Sequence, residues 1–282
     1  MTAAADLYCV MGNPIAHSRS PWIHARFAQL TGQSLHYERR LVPLDGFAQA
    51  LQSFAAEGGR GCNITVPFKL EAAQLATTRS ERVQLAGAAN TLVFDGGSIH
   101  ADNTDGLGLV ADITQGAGAP LAGRDVLLVG AGGAAAGVLG PLLRQHPRRI
   151  AVVNRTPARA QALVDSHAAL AVLQKTELLA LDMQAPGSDF DVIINATASS
   201  LEGGPVPVPA SVLRPGSLAY DMMYGPAAQP FLDWATAHGA TARDGLGMLV
   251  EQAAEAFLLW RGVRPPSAPV LQELRAAIAA GA

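Results

Sequence analysis

Lys69 and Lys175 are the only lysines among the 20 basic residues of this chain; every other one is arginine. An arginine stays charged at any pH the protein meets, whereas a lysine ammonium is compact and can lose its proton. A position that keeps lysine where arginine is the habit is therefore a candidate for proton transfer. Lys69 closes the run Asn63-Ile-Thr-Val-Pro-Phe-Lys69, and Asp105 closes Asp102-Asn-Thr-Asp105. Paired with that carboxylate, the lysine could deliver a proton to a new alkoxide, take it back in reverse, and hydrogen-bond a substrate hydroxyl. The plainer readings are a surface lysine at a helix start and an aspartate capping the helix that begins Gly106-Leu-Gly-Leu-Val110. Lys175 lies in no motif and reads as a surface residue.

In the loop Asn13-Pro-Ile-Ala-His-Ser-Arg-Ser-Pro21, Ser18 and Ser20 could hydrogen-bond an oxyanion. Ser20 before Pro21 also reads as the N-cap of the next helix. The two roles agree, because hydroxyls at a helix N-terminus suit a carboxylate. Asn63 and Thr65, read within one strand from Cys62 to Val66, point to the same side and would face one cleft. Asn90 and Asp105 fall at the two ends of a hairpin whose turn is Asp95-Gly-Gly97. His17, His24 and His100 share no metal-binding spacing, so no metal is expected. Cys9 and Cys62 are the only cysteines, too few for a disulfide framework.

A second chemistry is written in Gly130-Ala-Gly-Gly-Ala134, which follows the apolar strand Asp125–Val129 and opens a helix. That context is the one a dinucleotide needs: glycines permit the tight turn, and backbone N–H groups approach a pyrophosphate at the positive helix end. The plain alternative is a Gly/Ala turn that packs a helix closely on a sheet. The next strand ends in Asn154-Arg155-Thr156, with Arg159 four residues beyond Arg155. An NAD site places an acidic residue there, whereas arginine offers a charge-matched fork to a 2′-phosphate. On a helix start Arg155 and Arg159 would share a face. Two solvated arginines are the bland reading; their place directly after a nucleotide-type strand favours NADP.

These groups need a frame, and strand and helix patterns alternate along most of the chain, which argues for an α/β protein. Its 282 residues suggest one large domain or two modest ones, and 49% hydrophobic residues suffice for a core, which excludes disorder. A formal charge of −3 leaves no electrostatic footprint for nucleic acid. No apolar run reaches the roughly 18 residues of a membrane span, and Met1–Asp6 has no basic region leading into an apolar core, so no signal peptide is expected. Strands from Asp125, Arg149, Phe190 and Ser217 predict a doubly wound parallel sheet. We read a first α/β domain over residues 1–105, a Rossmann-type domain over 106–244, and C-terminal helices over 245–282.

His17-Ser-Arg-Ser-Pro21, the run ending at Lys69, Asp102-Asn-Thr-Asp105 and Asp244-Gly-Leu-Gly-Met-Leu249 occur in that order. In these motifs the sequence closely resembles the NADP-dependent shikimate dehydrogenases over nearly the whole chain. The resemblance implies a cytoplasmic oxidoreductase that reduces 3-dehydroshikimate to shikimate with NADPH, without nucleic-acid or membrane partners, as a monomer or homodimer. Lys69 is then the proton donor and acceptor, with Asp105 its partner. Ser18 and Ser20 hold the substrate carboxylate, and Thr65, Asn90, Asp105 and Gln252 bind the ring hydroxyls, with Tyr224 a further substrate contact. Glu81, Met222 and Gly245 line the nicotinamide side. Gly130, Ala131, Gly132, Gly133 and Ala134 hold the pyrophosphate, and Asn154, Arg155, Thr156 and Arg159 the adenosine 2′-phosphate. The C-terminal helices return to the first domain and bring Gln252 to an interdomain cleft. Two departures stand out: many relatives carry Arg where this chain has Ala136, and the loop Asn195-Ala-Thr-Ala-Ser-Ser200 differs from the commoner Asn-Ala-Thr-Ser-Ser-Gly. The rivals are a quinate/shikimate dehydrogenase with relaxed cofactor use, disfavoured by Ser20 and Asn154-Arg155, and an idle NADP-binding regulator, which has no need of Lys69 and Asp105 together. A one-carbon-folate dehydrogenase is opposed by the Ser-x-Ser loop.

Overall fold

Central strands buried on both faces build the first of two six-stranded sheets. The computed structural model describes residues 5–197 and 206–280. The chain divides into two units, Met1–Gly108 with Val250–Ala282, and Leu109–Leu249. In the first unit lie β1 (Asp6–Gly12), α1 (Ser20–Thr31), β2 (Leu35–Leu41), α2 (Phe47–Ala56), β3 (Gly59–Ile64) and α3 (Lys69–Leu75). They are followed by β4 (Thr78–Arg79), α4 (Glu81–Ala86), β5 (Thr91–Asp95), β6 (Ser98–Asp102) and α5 (Asp105–Ala111), whose last residues enter the second unit.

The sheet order is β2-β1-β3-β5-β6-β4, with β1 parallel to β2 and β3, and β5 antiparallel to β3 and β6. On β1, Tyr8 and Val10 join one apolar cluster with Tyr37, while Cys9 and Met11 join another with Phe47, Phe54 and Phe68. Burial on both faces is why β1 reads as a continuous apolar run instead of an alternating one. The hairpin forms where the sequence places it: Asp95 pairs with Ser98 across Gly96-Gly97.

The second unit holds β7 (Asp125–Val129), α6 (Gly133–Leu143), β8 (Arg149–Val153), α7 (Pro157–Gln174) and β9 (Glu177–Leu181). It continues through β10 (Phe190–Asn195), β11 (Leu213–Asp221), α8 (Gln229–Ala237) and β12 (Thr241–Arg243). All six strands are parallel in the order β12-β11-β10-β7-β8-β9. That is the doubly wound arrangement, with its switch point between β7 and β10. Every residue of β7 is buried. A single carboxylate, Asp112, ties the elements beyond β10 together. Arg243 donates to both its oxygens at 2.9 and 2.5 Å, and the Tyr220 hydroxyl donates at 2.7 Å.

The last two helices are α9 (Leu246–Arg261) and α10 (Ser267–Ala279). From Val250 onward they belong to the first unit. The Trp260 indole donates to the Leu92 carbonyl at 3.0 Å and its ring lies 4.7 Å from that of Tyr8. Arg26 of α1 grips Glu273 of α10 with two 2.8 Å hydrogen bonds. Among the described residues no helix is long and apolar enough to cross a membrane.

Candidate active site

Lys69 opens α3 and Asp105 opens α5, and the fold brings them together: Lys69 Nζ donates to Asp105 Oδ2 at 2.5 Å. Asp105 is not the cap of its helix. Its backbone N–H donates to the Asn103 side chain, while its other carboxylate oxygen accepts from Asn90 Nδ2 at 2.8 Å. Asn90, 2% exposed, is the hub of the cluster. Its Nδ2 also reaches Thr104 Oγ1 at 2.9 Å and Gln252 Oε1 at 3.2 Å, and its Oδ1 accepts from the Thr104 N–H at 2.8 Å. Gln252, on α9, thus stands beside Asp105 within the first unit.

Behind Asp105 the backbone is clamped. Arg82 forks onto Asp102 at 3.0 and 2.6 Å and donates to the Asn103 carbonyl at 3.1 Å. Ser80 caps α4 through the Val83 N–H and donates to the same Asp102, which sets Glu81 at the first helical position. A planar guanidinium on a carboxylate that is 2% exposed fixes the strand end in two directions at once.

The serine loop departs from its expected form. Helix α1 begins at Ser20, with Arg19 in the N-cap position and no side-chain cap, so Ser20 is not the cap. Ser18 supplies the oxygen instead: its Oγ accepts the Ser20 N–H at 3.3 Å. Arg39 pins the loop by donating twice to the Ser18 carbonyl, at 2.9 and 2.6 Å. The first turn of α1 carries no acidic residue, so the positive helix end beside the two serines is suited to an anion.

Thr65 also lies elsewhere than expected, because β3 stops at Ile64 and the chain turns, with the Phe68 N–H bonded to the Thr65 carbonyl. Strand alternation therefore does not carry from Asn63 to Thr65. Asn63 is buried; its Oδ1 accepts from the Tyr37 hydroxyl at 2.7 Å and its Nδ2 donates to Thr91 Oγ1 at 3.1 Å. Thr91 Oγ1 donates to Asn90 Oδ1 at 2.9 Å. A continuous line thus runs from Tyr37 through Asn63, Thr91 and Asn90 to Asp105 and Lys69. Sequence reasoning missed Tyr37, Arg39 and Arg82. Their signal is partnership across 20 to 26 residues of chain, which no local spacing carries.

In the second unit the glycine loop follows β7 at the switch point. Gly130 adopts φ +113°, which an L side chain rarely takes, and a Cβ there would lie 3.1 Å from the Ala196 carbonyl. A Cβ at Gly132 or Gly133 would meet nothing within 4 Å. Helix α6 starts at Gly133 with no side-chain cap and no acidic first turn, and the Ala131 N–H is held by Asn154 Oδ1 at 3.2 Å. An open, uncapped, acid-free helix start at a switch point suits a pyrophosphate.

Asn154 also donates to the Thr156 carbonyl at 3.0 Å. Thr156 is the N-cap of α7, so Arg155 precedes the helix and does not share a helical face with Arg159. Pro157 at the first helical turn sets that start. Both guanidinium groups are exposed, and neither has a carboxylate partner among the described residues, which fits a phosphate. Met222 and Gly245 touch: the Gly245 N–H donates to the Met223 carbonyl at 2.8 Å, and a Cβ on Gly245 would sit 2.2 Å from the Met222 carbonyl. Tyr224 follows them, half-buried, at the start of a short 3₁₀ turn. Residues 198–200 of the loop after β10 lie outside the described residues. Among the described residues no three His, Cys, Asp or Glu groups come together as a metal site.

Comparison with known proteins agrees with this geometry. Residues 10–92 match the family described as the shikimate dehydrogenase substrate binding domain, residues 112–202 the shikimate/quinate 5-dehydrogenase family, and residues 245–275 the shikimate 5′-dehydrogenase C-terminal domain. The chain is 99% identical over 282 residues, all of both chains, to the shikimate dehydrogenase (NADP(+)) of Acidovorax sp. (strain JS42). An Ael1 enzyme from Pseudomonas putida superimposes with a TM-score of 0.89 at 47% identity, over 96% of this chain and 98% of that one. Shikimate 5-dehydrogenase from Thermus thermophilus, solved with NADP(H) and shikimate, gives 0.85 at 33% identity, over 96% and 99%. Three matched segments, near-identity over the full length and a shared fold lead to one conclusion: the chain belongs to the shikimate dehydrogenase family.

Proposed function

We propose that the protein catalyses the reversible NADPH-dependent reduction of 3-dehydroshikimate to shikimate, with the substrate held by the first unit and the cofactor by the second. The observation that carries the chemistry is the Lys69–Asp105 pair, joined through Asn90 to Gln252. NADPH supplies the hydride, so what this chain must provide is position, proton and charge. Ser18, Ser20 and the start of α1 anchor the substrate carboxylate. Thr65, Asn90, Asp105 and Gln252 orient the ring hydroxyls, with Tyr224 as a further contact. Lys69 Nζ donates a proton to the oxygen that becomes the new hydroxyl, and as the amine it takes that proton back in the oxidation. Asp105 keeps the ammonium in place and accepts from it in both directions.

The backbone of Gly130–Ala134 receives the pyrophosphate. Asn154, Arg155, Thr156 and Arg159 receive the 2′-phosphate, and Glu81, Met222 and Gly245 border the nicotinamide. The proposal extends to a cytoplasmic enzyme acting as a monomer or homodimer, two states that light scattering separates.

Initial rates with shikimate and with quinate, each with NADP and with NAD, test the proposal. The expected result is a kcat/KM for shikimate with NADP well above the other three. No NADP reduction with shikimate overturns the assignment; equal rates with quinate or NAD replace it with the relaxed quinate/shikimate enzyme.

A further inference from the structure

Strand β2 lies at the edge of the first sheet, hydrogen-bonded to β1, and its side chains alternate between two faces. Tyr37 and Arg39 share one face; His36, Glu38 and Arg40 share the other. Tyr37 is buried and donates to Asn63, on the line that ends at Lys69. Two residues on, Arg39 stands exposed and donates through Nε and Nη2 to the Ser18 carbonyl. One strand thus holds both the polar line and the serine loop.

The charge of Arg39 is left uncompensated. Glu38, its neighbour in sequence, points to the opposite face, where it pairs with Arg40 at 2.6 Å. The loop from Asn13 to Pro21 has no acidic residue, and neither has the first turn of α1. Among the described residues no carboxylate pairs with Arg39. Ser18, in turn, is tied at its other polar atoms. Its N–H donates to the Ile15 carbonyl at 3.1 Å, its carbonyl accepts from Arg39, and its Oγ accepts the Ser20 N–H at 3.3 Å. The hydroxyl hydrogen has no acceptor among the described residues, and Ser18 is only half-buried.

On the reading that Ser18 and Ser20 receive the substrate carboxylate, we propose that Arg39 is a positioning residue that sets this loop's preference for a carboxylate over a neutral group. It acts through Ser18. The guanidinium fork fixes the Ser18 backbone, so the hydroxyl keeps one place from which to donate. The positive charge lies against Ser18 itself, well within the roughly 8 Å over which exposed charges act at physiological salt. A carboxylate gains from that charge and accepts a charge-assisted hydrogen bond. An ester of the same ring carries no charge and accepts one about half as strong.

Initial rates of NADP reduction with shikimate and with its methyl ester, measured on the parent, Arg39→Met and Arg39→Lys, test this role. No reduction of NADP by the parent with shikimate overturns the proposed reaction, and the role of Arg39 with it; the remaining outcomes bear on Arg39 alone. In Arg39→Met the KM for shikimate should rise about tenfold, as for a weakened hydrogen bond to a charged group. Its kcat and its KM for NADP should stay near those of the parent, the pattern of a binding contact shared by ground and transition states. For the ester, kcat/KM should fall by no more than about threefold. Arg39→Lys keeps the charge without the fork, so its preference for acid over ester should lie between those of the parent and Arg39→Met. A purely structural defect lowers acid and ester alike, so equal falls in Arg39→Met overturn the proposal. An unchanged KM for shikimate in that variant, or an Arg39→Lys no more selective than Arg39→Met, overturns it as well.

Discussion

Lys69 is held in place by residues that are themselves held. The ammonium meets a carboxylate whose other oxygen is fixed by Asn90, and Asn90 is fixed by Thr91, Thr104 and Gln252. Replacing the lysine removes the proposed proton donor without disturbing the glycine loop, which lies in the other unit. Lys69→Ala should therefore lower kcat by about a hundredfold or more, the usual contribution of a general acid–base group. Its Kd for NADP, measured by fluorescence or calorimetry, should stay near that of the parent. A near-normal kcat would remove Lys69 from the acid–base role. Lys69 stood out in the sequence because arginine had displaced lysine almost everywhere else, and Asp105 through its motif; the fold pairs the two. Tyr37 was not: a tyrosine in Leu35–Leu41 looks like any strand aromatic until Asn63 is seen to accept its hydroxyl.

Elements were legible in proportion to how much of their burial is local. Strand β7 is apolar at almost every position and β8 follows the same pattern, so both declare themselves. Strand β9, Glu-Leu-Leu-Ala-Leu, is composed of helix formers and directly follows an 18-residue helix; only its pairing with β8 makes it a strand. The three-residue β12 and two-residue β4 are likewise set by partners and not by pattern. The same distinction applies to the proposed 2′-phosphate contacts. The turn between β8 and α7 presents Arg155 before the helix and Arg159 within it, with Asn154 binding the turn to the glycine loop. Arg155→Ala should raise the KM for NADP about tenfold, near 1.4 kcal/mol, by loss of a charge-assisted hydrogen bond. The KM for NAD should scarcely change, since it carries no 2′-phosphate. Equal effects on both cofactors would show that the arginine supports the turn and not the phosphate.

For the molecule as a whole, acid sensitivity follows from two buried histidines. Burial pushes His24 down to about 3, and its ring lies stacked 4.3 Å from Tyr37 with neither nitrogen partnered among the described residues. Burial also lowers His167, against a smaller opposing effect of the Leu163 carbonyl. Both are neutral in the fold but take up a proton on unfolding below their ordinary value of 6.5. Stability is therefore full above that pH and falls as pH drops through it, by up to about 1.4 kcal/mol per pH unit for each histidine. The carboxylates of Asp6, Glu57 and Glu273 are held below their ordinary values by arginine partners, so they titrate later. Denaturant unfolding of His24→Phe should show a clearly shallower loss of stability between about pH 6.5 and 4.5 than the parent. An unchanged slope would mean that His24 is not the group being titrated. The scarcity of lysine also has a practical side. Lys175 stands exposed at the left-handed end of α7, while Lys69 is closed in by Asp105. Of the two side-chain amines Lys175 is the open one, so beyond the chain's α-amine an amine-directed label should fall on Lys175 and spare Lys69.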